Sequence, residues 1–170
     1  MAVNYEVLGV INAVDQGQSS LCWLATTATL LSWRRMTLLD MKATAKELGA
    51  EFEALYAHKA PLSASMIGTF KKRARLITEA GQSRPAKTWE DLLRKHGPVA
   101  VGIDADAPGN YMAHLVTLYA IKGDETLKGT RLKFIDPAGG KKLDLTFGEF
   151  GKLHGAADAV NAPFDVFYSS

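Results

Sequence analysis

A single cysteine, Cys22, in 170 residues excludes any internal disulfide. The four histidines, His58, His96, His114 and His154, include no pair at zinc-ligand spacing, so neither a metal nor another cofactor is expected. No run reaches the roughly 18 apolar residues of a membrane span. The start "MAVNYEVLGV" lacks a basic segment followed by an apolar block, so the expectation is no Sec signal peptide and no membrane partner. A formal net charge of only +2 is too weak a bias to indicate a nucleic-acid surface. Internal repeats, low-complexity tracts and linkers are missing too. What remains is an ordinary globular composition, 47% hydrophobic and 22% charged, long enough to bury one core without staples. One domain over residues 1–170 is expected.

The first half of the chain reads as helical. After the short β-type run "YEVLGVI" and the polar loop "DQGQSS", the apolar positions Trp23, Leu24, Ala25, Ala28, Leu30, Leu31 and Trp33 surround a helix from Cys22 to about Arg35. Such a helix is buried on most sides, with its N-terminus opening into the loop. "TLLDMKATAKELG", "EFEALYAHK" and "PLSASMIGTFKKRA" have helical spacing, the last with a proline suited to a first turn. "KKRAR", residues 71–75, reads as a solvated helix end. "SRPAKTWEDLLRKHG" predicts a helix capped by Thr88 and stopped by Gly97. Beyond it the pattern changes to short β-type segments, "PVAVGI", "HLVTLYAI", "TRLKFIDP", "KKLDLTF" and "FDVFYS", with "FGEFGKLH" adding at most a helical turn. The expected class is α+β: a helical half over about 1–97 packed on a mostly antiparallel sheet half over about 98–170.

Cys22 at a helix start invites two readings. A thiol attacks as the thiolate, which unpaired N–H groups and the positive end of a helix dipole favour. A lone buried cysteine in an apolar helix is usually an inert packing residue. Nucleophilic use also needs a histidine base and a group that orients it. His58 and His96 have structural explanations at helix ends, and His154 falls in a small-residue stretch expected to be an exposed loop. His114 differs. It opens a strand whose alternation puts His114, Val116, Leu118 and Ala120 on one face. The next strand puts Leu132, Phe134 and Asp136 on one face. An antiparallel register with His114 opposite Asp136 pairs Val116 with Phe134, Leu118 with Leu132 and Ala120 with Thr130, which leaves an apolar face with one polar, open end. Spacing therefore yields a His–Asp pair.

The flanking residues add a resemblance. "QGQSSLCW" resembles the active-site segment of papain-like cysteine peptidases: Gln16 stands six residues before Cys22, Gly17 follows that glutamine, and Trp23 follows the cysteine. The chain order Cys22, His114, Asp136 matches as well. The resemblance implies a papain-like fold and a Cys22–His114–Asp136 triad. It gives Gln16 and the Cys22 backbone N–H the oxyanion hole; Gln18 does not match the family spacing. The loop has no second cysteine, Cys22 and His114 are closer in sequence than in papain, and an aspartate ends the triad with no Asn-Ser-Trp after the histidine strand. "IDPAGGKKLDLTFGEF" is more similar to the tail of bacteriocin-processing peptidase domains, and the compact layout resembles bacterial effector and toxin proteases.

That resemblance implies a cysteine endopeptidase that acts as a monomer on a chosen protein or peptide substrate. It implies a reducing, cytosolic-type environment, delivery by a dedicated secretion system, and an immunity or chaperone partner if the chain is a toxin. The same triad also serves deamidation, transglutamination or acyl transfer, and a silent papain-like binding domain is the reading from a different class. "HKAPLSASM" and "DADAPGNYMA" are the expected rim loops of a substrate pocket between the two halves.

Overall fold

The structure is a computed structural model that describes residues 1–80, 82–106, 112–159 and 166–170. Part of the expected rim loop "DADAPGNYMA" lies outside the described residues. Helix α1 (Cys22–Arg35) is the organising element, with Trp23, Leu24, Ala25, Ala28, Leu30 and Leu31 all buried. It also buries four hydroxyl residues, three of whose hydroxyls find acceptors nearby in sequence. Thr27 and Thr29 donate back to the Trp23 and Ala25 carbonyls one turn earlier, and Ser32 donates to Leu39. Thr26 donates outward, to the Leu115 carbonyl at 3.4 Å, tying the helix to the sheet.

The sheet is antiparallel throughout, in the order β2 (Leu76–Glu79), β7 (Val166–Ser169), β3 (Val99–Asp104), β4 (Ala113–Gly123), β5 (Arg131–Asp136), β6 (Lys141–Thr146). Strand β1 (Val3–Glu6) runs beside the last residues of β4, on the edge that β3 occupies earlier along the strand. Alternate residues of the central strands serve opposite cores. Ala100, Leu115 and Phe167 pack with α1, α2 (Met41–Leu48), α3 (Ala50–Ala57) and α4 (Ile67–Arg73). Val101, Val116, Leu118 and Val166 face a second cluster containing Trp89 and Leu93 of α5 (Ala86–His96) and Phe150 of α6 (Phe147–Ala159). Two buried faces explain why all six residues of β3 are buried.

The α+β class is as the sequence indicates, but the division into halves is less clean. β1 and β2 come from the first half and join the sheet, and α5 covers it. β2 is too short, at four residues, to stand out beside the basic run before it. Helix α5 starts at Ala86 after Pro85, so Thr88 lies inside the helix instead of capping it. Pro85, at φ −58°, holds the extended conformation that leads into the first turn. Pro61 precedes a short 3₁₀ turn, Ala64–Met66, and α4 begins only at Ile67. Where a single turn was expected after β6, α6 has 13 residues. The α5 stop at Gly97 is as the sequence indicates: φ is +79° there, and a Cβ would stand 2.1 Å from the Trp33 ring.

Trp23 anchors the start of α1. It is 2% exposed, meets the Phe70 ring edge-on at 5.5 Å and Phe52 at 6.1 Å, and donates its indole N–H to the Ala60 carbonyl at 3.3 Å. Truncating so large a buried ring typically costs about 3–5 kcal/mol. Trp23→Ala is expected to lower the urea midpoint accordingly, with Trp23→Phe falling between it and the wild type. An unchanged midpoint would mean that this cluster does not hold α1.

Candidate active site

Cys22 is the first residue of α1 and is partly exposed. Leu21 occupies the cap position with no side-chain hydrogen bond, and the first turn holds no acidic residue. The partial positive charge of the helix end is therefore not neutralised from within the helix. Burial of Leu21, Trp23 and Leu24 fixes the turn that carries the thiol.

His114 lies near the start of β4 and Asp136 at the end of β5. The two side chains meet, His114 Nε2 to Asp136 Oδ1, at 2.7 Å. The register that brings them together is not the expected one. Leu118 pairs with Phe134 and Thr117 with Ile135, a shift of two residues, and beyond a bulge at Tyr119 the pairs become Ala120 with Lys133 and Ile121 with Leu132. Extending that register sets Asp136 opposite Val116, diagonal to His114. The cause lies at the far end of β4, which continues to Gly123 because β1 pairs with Ala120–Gly123. The hairpin therefore closes later than the side-chain pattern suggests, and the bulge absorbs the odd residue. An even shift preserves the face, so the polar pair survives it.

The imidazole is largely buried and hydrogen-bonds with Asp136, and Cys22 lies close enough to influence its charge. With Nε2 committed to the carboxylate, Nδ1 is the ring atom left for the thiol. Burial is the largest single influence on the His114 pKa and acts to lower it. The hydrogen bond to Asp136 and the influence of the adjacent Cys22 outweigh it and push the value up to about 9. Burial likewise acts to raise the Asp136 pKa. It is outweighed by the hydrogen bond from His114, the N–H of Ala138 at 2.8 Å, and the charges of His114 and Lys141, so the carboxyl is held below its ordinary value.

Gln16 is half-buried in the loop before α1. Its side-chain amide donates to the Ser19 carbonyl at 2.6 Å, which uses one of its two N–H bonds and leaves the other as a free donor. Its backbone N–H donates to the Pro137 carbonyl at 2.8 Å, which docks the loop on the turn after Asp136. Asp15 and Ser19, which the sequence reading passed over, hold this loop: Asp15 Oδ1 accepts from Gly17 N–H, and the Ser19 hydroxyl donates to the Gln16 carbonyl. The Asp-x-Gly spacing of an Asx turn was the available signal. Gln18 is exposed.

The other histidines lie elsewhere. His58 caps α3, and His96 at the end of α5 stacks on Tyr168 with ring centres 3.8 Å apart; burial first, then Lys95, lowers its pKa. His154 is buried within α6, not in an exposed loop, stacked on Phe150 with Nδ1 donating to the Gly102 carbonyl. In the basic run, Arg73 is tied to the Leu48 carbonyl and Glu51. A cleft of about 250 Å³ beside Gln16 is lined by Ser19, Met41, Tyr56 and Lys59, the last from the expected rim loop "HKAPLSASM". Among the described residues no group of three or more His, Cys, Asp or Glu side chains is placed to hold a metal, and no helix is long and apolar enough to cross a membrane.

The fold is similar to that of digestive procathepsin L 3 from the larval midgut of Tenebrio molitor, with a TM-score of 0.56 over 98% of this chain and 68% of that one at 12% identity. No curated protein matches the sequence. Residues 3–154 match the family model described as papain-like cysteine protease AvrRpt2. With an imidazole hydrogen-bonded to a carboxylate, a cysteine at the head of a buried helix near enough to influence that imidazole, and a family match that spans most of the chain, the protein belongs to the AvrRpt2 family of papain-like cysteine proteases.

Proposed function

We propose that residues 1–170 act as one catalytic domain, an endopeptidase that cuts a chosen protein through Cys22, His114 and Asp136. The carrying observation is the His114–Asp136 hydrogen bond, 2.7 Å, beside a cysteine that opens α1 and lies close enough to influence the His114 charge. The Cys22 thiolate attacks the scissile carbonyl carbon, and the free N–H of Gln16 and the Cys22 N–H stabilise the oxyanion. The His114 imidazolium then protonates the leaving amine. Its neutral ring takes a proton from water, whose hydroxide attacks the thioester and expels the Cys22 thiolate, restoring the thiolate–imidazolium pair. Asp136 fixes the tautomer and orientation of the ring. The cleft beside Gln16 is placed to receive a substrate side chain next to the scissile bond. Action on one target suits an effector or toxin delivered into another cell, as the compact bacterial relatives imply.

The test is to incubate a whole proteome with the protein and with its Cys22→Ala variant and map new N-termini. A small set of cuts made only by the active protein is expected. One-dalton shifts or added groups on intact chains would show deamidation or acyl transfer by the same residues. The absence of any product, with Cys22 alkylated no faster than a free thiol at neutral pH, would overturn an enzymatic reading.

Gln16→Ala is expected to lower kcat by about 100- to 1000-fold, the usual effect of removing one oxyanion donor, with the fold retained because the side chain is only half-buried. Steady-state kinetics on a peptide spanning a mapped site checks this. Wild-type turnover would remove Gln16 from the mechanism.

A further inference from the structure

We propose that Asp15 is a positioning residue for peptide hydrolysis: its carboxylate clamps the Gln16 loop to the turn that follows Asp136. The inference rests on the reading that Gln16 donates to the oxyanion. The two sides of the reaction are carried by segments far apart in sequence, the loop before α1 and the β5–β6 turn. Asp15 Oδ1 accepts from both, from Gly17 N–H at 2.7 Å and from Gly139 N–H at 2.9 Å. Gln16 N–H donates to Pro137 O at 2.8 Å, and Asp136 accepts from the next residue, Ala138, while it holds His114. These contacts link the segment of the oxyanion donor to the base through the turn after Asp136, and Asp15 adds a second link between the same two segments. Gly139 presents its N–H from a left-handed conformation, φ +90°, which a residue with a Cβ adopts only under strain.

Asp15 is exposed, so it has no part in either core. Its effect is geometric. A displacement of about 1 Å at a reacting group can cost about 100-fold, and without the clamp the Gln16 loop is held on the turn by the Pro137 bond. Asp15→Asn keeps an oxygen acceptor at the same position and removes the charge, whereas Asp15→Ala removes both.

Two assays on the same protein separate this role from a structural one: kcat and KM on a peptide cut at a mapped site, and the rate at which iodoacetamide alkylates Cys22. Alkylation needs the thiolate and imidazolium but passes through no tetrahedral oxyanion. Asp15→Ala is expected to lower kcat by about 10- to 100-fold with KM nearly constant, while alkylation keeps its rate. Asp15→Asn recovers most of the loss. Added to Gln16→Ala, Asp15→Ala costs little more, since both act through one donor. Alkylation slowing in step with kcat would overturn the proposal, as would an Asp15→Asn variant as slow as Asp15→Ala. A normal kcat for Asp15→Ala beside an impaired Gln16→Ala overturns the role of Asp15 alone. A normal kcat for Gln16→Ala instead strikes at the reading of Gln16 beneath it.

Discussion

Alanine at Cys22 or at His114 is expected to lower kcat/KM by about six orders of magnitude, and alanine at both by no more than either alone. Without Cys22 no acyl-enzyme forms. Without His114 the thiol loses the partner that takes its proton and the leaving amine loses its acid, so the intact nucleophile is stranded. Each deletion removes the same pathway, which makes the effects non-additive. Neither change should unfold the protein: Cys22 lies at the margin of the helical cluster, and His114 sits where its strand face turns polar. Kinetics of the three variants, with circular dichroism to verify the fold, gives the answer. His114→Ala should also abolish fast alkylation of Cys22 at neutral pH. Multiplying effects in the double variant would show that the two residues do not act as one unit.

Most of the geometry behind this expectation was legible in the residue pattern. Apolar side chains on all sides marked α1 as central, and Trp23, Leu24 and Leu30 are buried in the cluster where the helices meet the sheet. Alternation in β4 and β5 was enough to assign His114 and Asp136 to a common face, because a period of two is insensitive to an even slip. The true register was beyond reach, since it is set by β1, a segment over 110 residues earlier that lengthens β4, and by a bulge with no local signature at Tyr119. His154 misled for a related reason. Its glycine and alanine neighbours read as loop, yet His154 lies in α6, where its ring stacks on Phe150 and reaches the Gly102 carbonyl of the sheet. Asp15 could be seen as a turn residue but not as a clamp, because its second partner, Gly139, is separated from it by 124 positions.

Replacing Asp136 by alanine is expected to cost about four orders of magnitude in kcat/KM, less than the loss of His114, and to change the shape of the pH profile. On the alkaline side the wild-type rate should fall as His114 loses its proton, near pH 9. Two opposed influences set that value: burial lowers it, and the contacts with Asp136 and Cys22 raise it. Asp136→Ala deletes one raising influence and leaves burial in place, so the limb must move to lower pH. Asp136 itself is held below the ordinary carboxylate range and stays ionised through neutral pH, so it adds no limb of its own there. Asp136→Asn keeps an acceptor for Nε2 without the charge, and its limb should fall between the other two. The measurement is kcat/KM against pH for all three proteins. A rate loss with the limb fixed near pH 9 would mean that the carboxylate only orients the ring; a limb moved downward in step with lost charge makes Asp136 the group that keeps His114 protonated until the amine leaves.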